Sequence, residues 1–217
     1  MHQPVIGIAQ NYGNRKHLVD AYAVIQDPLA PRLAVSVADA LVDHPGAALT
    51  AQLGAHTAAT AALTYSPDQA CAAAHDRCAD LQHPAKGSLP QTQPAIVTAV
   101  IDGRHPLLRI AWSGCCWAYA VTQAGSIHRL TDPSTPQGTP RIATRSVPRT
   151  GIQSLLLCSD GVSSTLCDTA IGLSLLYDGD PRQVAAHLAH KAGDRGPDNA
   201  TAVVVQLLTP HTPKETS

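Results

Sequence analysis

The chain has 217 residues, of which 44% are hydrophobic and 14% charged, with a net charge of −1. That length bounds it to one domain or two small ones, and the near-neutral charge excludes the basic footprint that binding a phosphate backbone requires, so no nucleic-acid partner is expected. No apolar run reaches the roughly 20 residues that span a membrane, and the opening MHQPVIGIAQ lacks the charged and apolar regions of a secretory signal, so a cytoplasmic protein with no membrane partner is expected.

Short apolar runs bounded by turn residues read as strands at 5–8, 21–25 and 33–37. An Ala-rich stretch, 46–82, carries no strand signal and reads as two helices broken near 65–67. There Ser66 is the N-cap, Pro67 opens the second helix, and Gln69 stands three after the cap. Further strands are expected at 95–101, 107–112 and 117–121. Asp-Gly in IDGRHP (101–106) and Gly in TQAGSI (122–127) mark turns. The segment 131–150, rich in Pro, Thr and Arg, reads as a mobile loop. Another strand follows at 155–158, then a helix at 180–193 capped by Asp180 and ended by Gly193, and a last strand at 202–208. Residues 209–217 read as a disordered tail. Strands and helices in blocks argue α+β with antiparallel sheets rather than a doubly wound parallel sheet.

Four of these strands carry an aspartate at or beside an end: Asp20, Asp39, Asp160 and Asp198. Each alone is an ordinary turn residue. Together, carboxylates held rigidly at strand rims would repel one another without a cation among them, and oxygen ligands suit hard ions such as Mg²⁺ or Mn²⁺. The six cysteines form no C-x-x-C pair, so a structural zinc site is not expected. Cys71 and Cys78 share a helix face. Cys115 and Cys116 read as small residues on opposite faces of a strand.

In order, GNRKHLVDAYAV (13–24), LAVSVADALVDHPGAA (33–48), LLRIAWSGCCWAYAVTQAGSIHRLTDPST (107–135), LLLCSDGVSSTL (155–166) and GPDNATAVVV (196–205) resemble the motifs of the metal-dependent type 2C (PPM-type) serine/threonine protein phosphatases, in their bacterial form. The Ser-Asp-Gly and Asp-Asn matches are the more specific. The resemblance implies an α+β fold spanning 1–208, a four-layer αββα sandwich of two antiparallel sheets flanked by helices. It also implies a binuclear Mn²⁺ or Mg²⁺ centre that activates a water for hydrolysis of phosphoserine and phosphothreonine. Carried over by residue, Asp39 would bridge both ions and be catalytic. The carbonyl of Ala40 would hold one ion, Asp160 and Asp198 the other, and Asp20 would act through water. Arg15 would be catalytic by binding the substrate phosphate, where its fork fits two oxygens. The implied partners are a phosphorylated protein and a cognate serine/threonine kinase.

The chain also departs from the pattern. GCCW (114–117) stands where the family has Gly-Asp-Ser-Arg, so Cys115 replaces the aspartate of a third metal site, and a thiol is a poor ligand for Mg²⁺. Ala40 replaces the glycine after Asp39, and the stretch from Gly114 to Asp160 is short for the family. Two readings therefore stand: a working phosphatase of reduced rate, or a catalytically weak or inactive pseudophosphatase that serves as a protein-binding module.

Overall fold

The computed structural model describes residues 4–81, 93–132, 141–177 and 179–207. In chain order the elements are β1 (Val5–Asn11), β2 (Asp20–Gln26), β3 (Arg32–Asp39), α1 (Pro45–Ala62), α2 (Pro67–Leu81), β4 (Ala95–Asp102), β5 (Leu107–Ser113), β6 (Trp117–Thr122), β7 (Ile127–Arg129), β8 (Ala143–Pro148), β9 (Ile152–Cys158), α3 (Asp160–Thr165), α4 (Asp168–Tyr177), α5 (Pro181–Gly193) and β10 (Ala200–Gln206). The tail expected at 209–217 lies outside the described residues. No described helix is long and apolar enough to cross a membrane.

The strands form two antiparallel five-stranded sheets, in the orders β1-β10-β9-β6-β7 and β2-β3-β4-β5-β8. Alternation along each strand divides its side chains between two apolar layers. Leu33, Val35 and Val37 of β3, Val97 and Ile101 of β4, Leu155 and Leu157 of β9, and Val203 and Val205 of β10 fill the space between the sheets. The intervening residues face helices: Ala34, Ala38, Ile96 and Val100 meet α1 and α2, and Tyr119, Leu156 and Val204 meet α3, α4 and α5. A strand buried on both faces reads as an unbroken apolar run, which is why these segments are legible. The result is the expected αββα sandwich.

The composition explains the packing. Large aliphatic side chains sit between the sheets, while α1 presents Ala47, Ala51, Ala55, Ala58 and Ala62 to the alanines of β2 and β3. Small residues on both surfaces let helix and sheet approach closely.

Four elements and one placement differ from expectation. The loop at 131–150 contains an edge strand, β8, and β7 closes a hairpin after Gly125. Two helices, α3 and α4, follow β9 directly. Cys115 and Cys116 are not on a strand; they lie in the turn between β5 and β6, with Cys116 in the inter-sheet core and Cys115 half-buried.

Candidate functional site

Sheet register brings the aspartates together. The first residue of β2 pairs with the last of β3, so Asp20 and Asp39 stand directly opposite each other. Like charges in that position destabilise a sheet. β9 ends at Cys158, and Ser159 holds the N-cap position of α3, whose first residue is Asp160. β10 lies beside β9, with Ser159 N–H donating to the Thr201 carbonyl at 3.1 Å, which sets Asp198 and Asn199 next to the start of α3.

Two glycines make this convergence possible. A Cβ on Gly161 would overlap the carbonyl oxygen of Asn199, so only glycine lets α3 approach the start of β10. Gly13 has φ +56°, and a Cβ there would overlap the carbonyl of Asp198. Its absence lets the β1–β2 loop lie on Asp198 and deliver Arg15. Asn199, fully buried, ties the same loop down. Its Oδ1 accepts from Val19 N–H at 2.7 Å and its Nδ2 donates to the Tyr12 carbonyl at 2.8 Å. Asp43 holds the other end, accepting from the N–H groups of Lys16 (3.0 Å) and His17 (2.9 Å).

The electrostatics are those of a crowded acidic site. Burial raises the Asp20 carboxyl from its ordinary 3.8 to about 6, with the neighbouring Ser159 and Thr201 hydroxyls pulling the other way. Among the described residues neither of its buried oxygens has a partner in hydrogen-bonding geometry, those hydroxyls included. Burial, then the charges of Asp20, Asp160 and Asp198, push Asp39 well above the usual carboxylate range. Asp39, Cys115 and Asp160 each present a ligand atom within 4.8 Å of the others. The Cys115 thiol lies against Asp160, and burial together with Asp39 and Asp160 raises its pKa.

Arg15 is engaged from within. Its Nη2 donates to Asp198 Oδ2 at 2.6 Å, its Nε pairs with Asp198 Oδ1, and its Nη1 donates to the Leu41 carbonyl at 3.3 Å. Burial opposes the Arg15 charge, and the pairing with Asp198 outweighs it, so its pKa is raised. Ala40 is fully buried and donates its N–H to the Val19 carbonyl at 3.2 Å. No non-glycine residue among those described has positive φ, so alanine is unstrained after Asp39. His44 caps α1, its Nδ1 accepting from Gly46 N–H at 2.9 Å. A cleft of about 520 Å³ opens beside Asp20, with Tyr12, Lys16, His17 and Tyr22 on its walls.

Arg15, Asp20, Asp39, Ala40, Asp160 and Asp198 thus occupy one end of the sandwich, with the three-way approach of Asp39, Cys115 and Asp160 at its centre. Sequence reading did not find the roles of Asn199, Gly13 and Asp43. Of these only Asn199, inside the Asp-Asn motif, carried a signal.

No family model and no curated protein sequence matches the chain. Solved structures do. The S. agalactiae serine/threonine phosphatase superposes with TM-score 0.76 at 15% identity, covering 94% of this chain and 100% of that one. The Mycobacterium tuberculosis serine/threonine phosphatase PstP/Ppp gives TM-score 0.69 at 21% identity over 94% and 99%. This chain has the serine/threonine phosphatase fold. A C. elegans sex determining protein also superposes, with TM-score 0.74 at 14% identity; the match covers 97% of this chain and 66% of that one.

Proposed function

We propose that the protein is a metal-dependent phosphatase acting on phosphoserine and phosphothreonine in proteins, with two Mn²⁺ or Mg²⁺ ions. The observation that carries this reading is the pair of buried Asp20 oxygens with no partner among the described residues, opposite an equally buried Asp39. Uncompensated buried carboxylates are costly, and a hard cation with oxygen ligands removes the cost. The donor set fits such ions. Asp39 would be shared between two of them, with the Ala40 carbonyl on one side, Asp160 and Asp198 on the other, and Asp20 acting through water.

Bound divalent ions would supply a water of lowered pKa and neutralise charge on the phosphoryl oxygens. The chain's own groups do the rest. Arg15 offers a planar fork matched to two phosphate oxygens, and to use it the guanidinium exchanges Asp198 for substrate. Asn199 and Asp43 keep the Arg15 loop against the site. The cleft beside Asp20 gives the phosphorylated segment a place to lie. In-line displacement of the seryl or threonyl oxygen needs no covalent enzyme intermediate.

Phosphate release from an aryl phosphate and a phosphothreonine peptide tests this, with Mn²⁺, with EDTA, and with Asp160→Asn. Metal-dependent turnover lost in the variant supports the reading. Absence of turnover in every divalent metal overturns it. The binding-module alternative is favoured by the Arg15–Asp198 pairing, which occupies both a phosphate-binding and a metal-binding group. It predicts that a phosphopeptide binds without being hydrolysed.

A further inference from the structure

We infer that Cys115 is a metal ligand, and that with Asp39 and Asp160 it forms a mixed thiolate–carboxylate site that selects a thiophilic divalent ion, Zn²⁺ before Mg²⁺. The inference rests on the metal-binding reading above and adds to its two hard-ion positions a softer one at Cys115.

Three observations carry it. First, the thiol sulfur and one oxygen each from Asp39 and Asp160 lie within 4.8 Å of one another. Zinc bonds to oxygen and sulfur are about 2.0–2.3 Å in a tetrahedral shell, so ligand atoms on one ion stand roughly 3.3–3.8 Å apart, and side-chain rotations of about an ångström close the group onto a single ion. Second, Asp20 adds two buried oxygens against Asp39 that have no partner among the described residues; they mark the same cluster as short of positive charge. Third, Cys115 is held by backbone rather than by chance of rotamer. The turn between β5 and β6 is pinned by Cys116 in the inter-sheet core and by Gly114, where a Cβ would press on Ala95, the partner of Asp39 across β3 and β4. The half-buried thiol lies beside Asp160 while the residue also packs against the edge of the inter-sheet core.

The chemistry follows from ligand softness. Thiolate sulfur favours zinc-like ions and disfavours Mg²⁺, which demands oxygen donors. On binding, the sulfur–metal bond forms as the S–H proton leaves to solvent. No electron changes hands. Cys167, the exposed cysteine, sits at the start of α4 and is not part of the group.

Cobalt titration reads the ligand directly, because Co²⁺ takes zinc-type sites and a cobalt–thiolate bond gives a near-ultraviolet charge-transfer band. Metal-free protein is titrated with Co²⁺ as wild type, Cys115→Ser, Cys115→Asp and Cys167→Ser, and Mn²⁺ and Zn²⁺ binding is followed by calorimetry. The band is expected in wild type and Cys167→Ser and lost in both Cys115 variants. Zn²⁺ should abolish it and Mg²⁺ leave it. Zn²⁺ affinity should fall in Cys115→Ser by at least the roughly 10–100-fold that loss of an outer-sphere partner costs, with Mn²⁺ affinity changed less. Co²⁺ or Mn²⁺ binding without the band, or a band that survives Cys115→Ser, overturns the inference and leaves the metal-dependent reading standing. Failure of every ion to bind overturns both.

Discussion

Replacing Asp20 with asparagine is expected to stabilise the metal-free protein while abolishing phosphate release. Burial moves the Asp20 carboxyl from 3.8 to about 6, so the folded state holds the proton more tightly than the unfolded chain does. Above pH 6 the folded protein must ionise a group that resists ionisation, at about 1.4 kcal/mol per pKa unit, or about 3 kcal/mol in all. As pH falls through 6 the folded state regains its proton and the penalty shrinks; about a third remains near pH 4.5, and it vanishes only well below 3.8, where both states are protonated. Asparagine has nearly the same shape and no charge, so it removes the penalty. For a chain of this length each kcal/mol moves Tm by roughly 2–4 °C. Thermal melts in EDTA at about pH 7.5 should therefore place Asp20→Asn roughly 6–12 °C above wild type, with a much smaller gap near pH 4.5. Added Mn²⁺ should narrow or reverse the order, since only the wild type keeps the full ligand set. A variant no more stable than wild type at pH 7.5, or a gain that does not change with pH, would refute the reasoning.

Other expectations follow from individual contacts. Gly161→Ala forces a methyl into the Asn199 carbonyl; it should cost on the order of 1–3 kcal/mol or more by chemical denaturation and weaken Mn²⁺ binding, because α3 carries Asp160. Asn199→Ala strands a buried N–H of Val19 and the Tyr12 carbonyl, a loss of about 2–4 kcal/mol readable in urea midpoints. Arg15→Lys keeps the charge but not the fork; KM for a phosphopeptide should rise about tenfold, the value of one charge-assisted hydrogen bond, with kcat less affected. Chelation of the purified protein should lower Tm, and Mn²⁺ should restore it.

The sandwich was readable because its central strands are buried on both faces and so appear as unbroken apolar runs; β4 has all eight residues buried. The elements that escaped lack that signature. β8 is an edge strand with most residues exposed, and β7 has three residues. α3 is built from Asp, Gly, Val, Ser and Thr, all weak helix formers, and α4 is too uniformly apolar to show a helical period. The strand-end carboxylates were legible because charge is conspicuous where an apolar run stops. The Arg15–Asp198 pair joins residues 183 apart in sequence, and the contact of Cys115 with Asp39 and Asp160 depends on how the β5–β6 turn folds over the sheet edge. Neither can be read from spacing.

Anomalous diffraction from crystals grown with Mn²⁺ tests the central claim most directly, because it locates ions without reference to turnover. The account predicts manganese peaks bonded to Asp39 and to Asp160 or Asp198, with Arg15 released from Asp198. Crystals with no peak at this end of the sandwich, and with Arg15 still paired to Asp198, would contradict it.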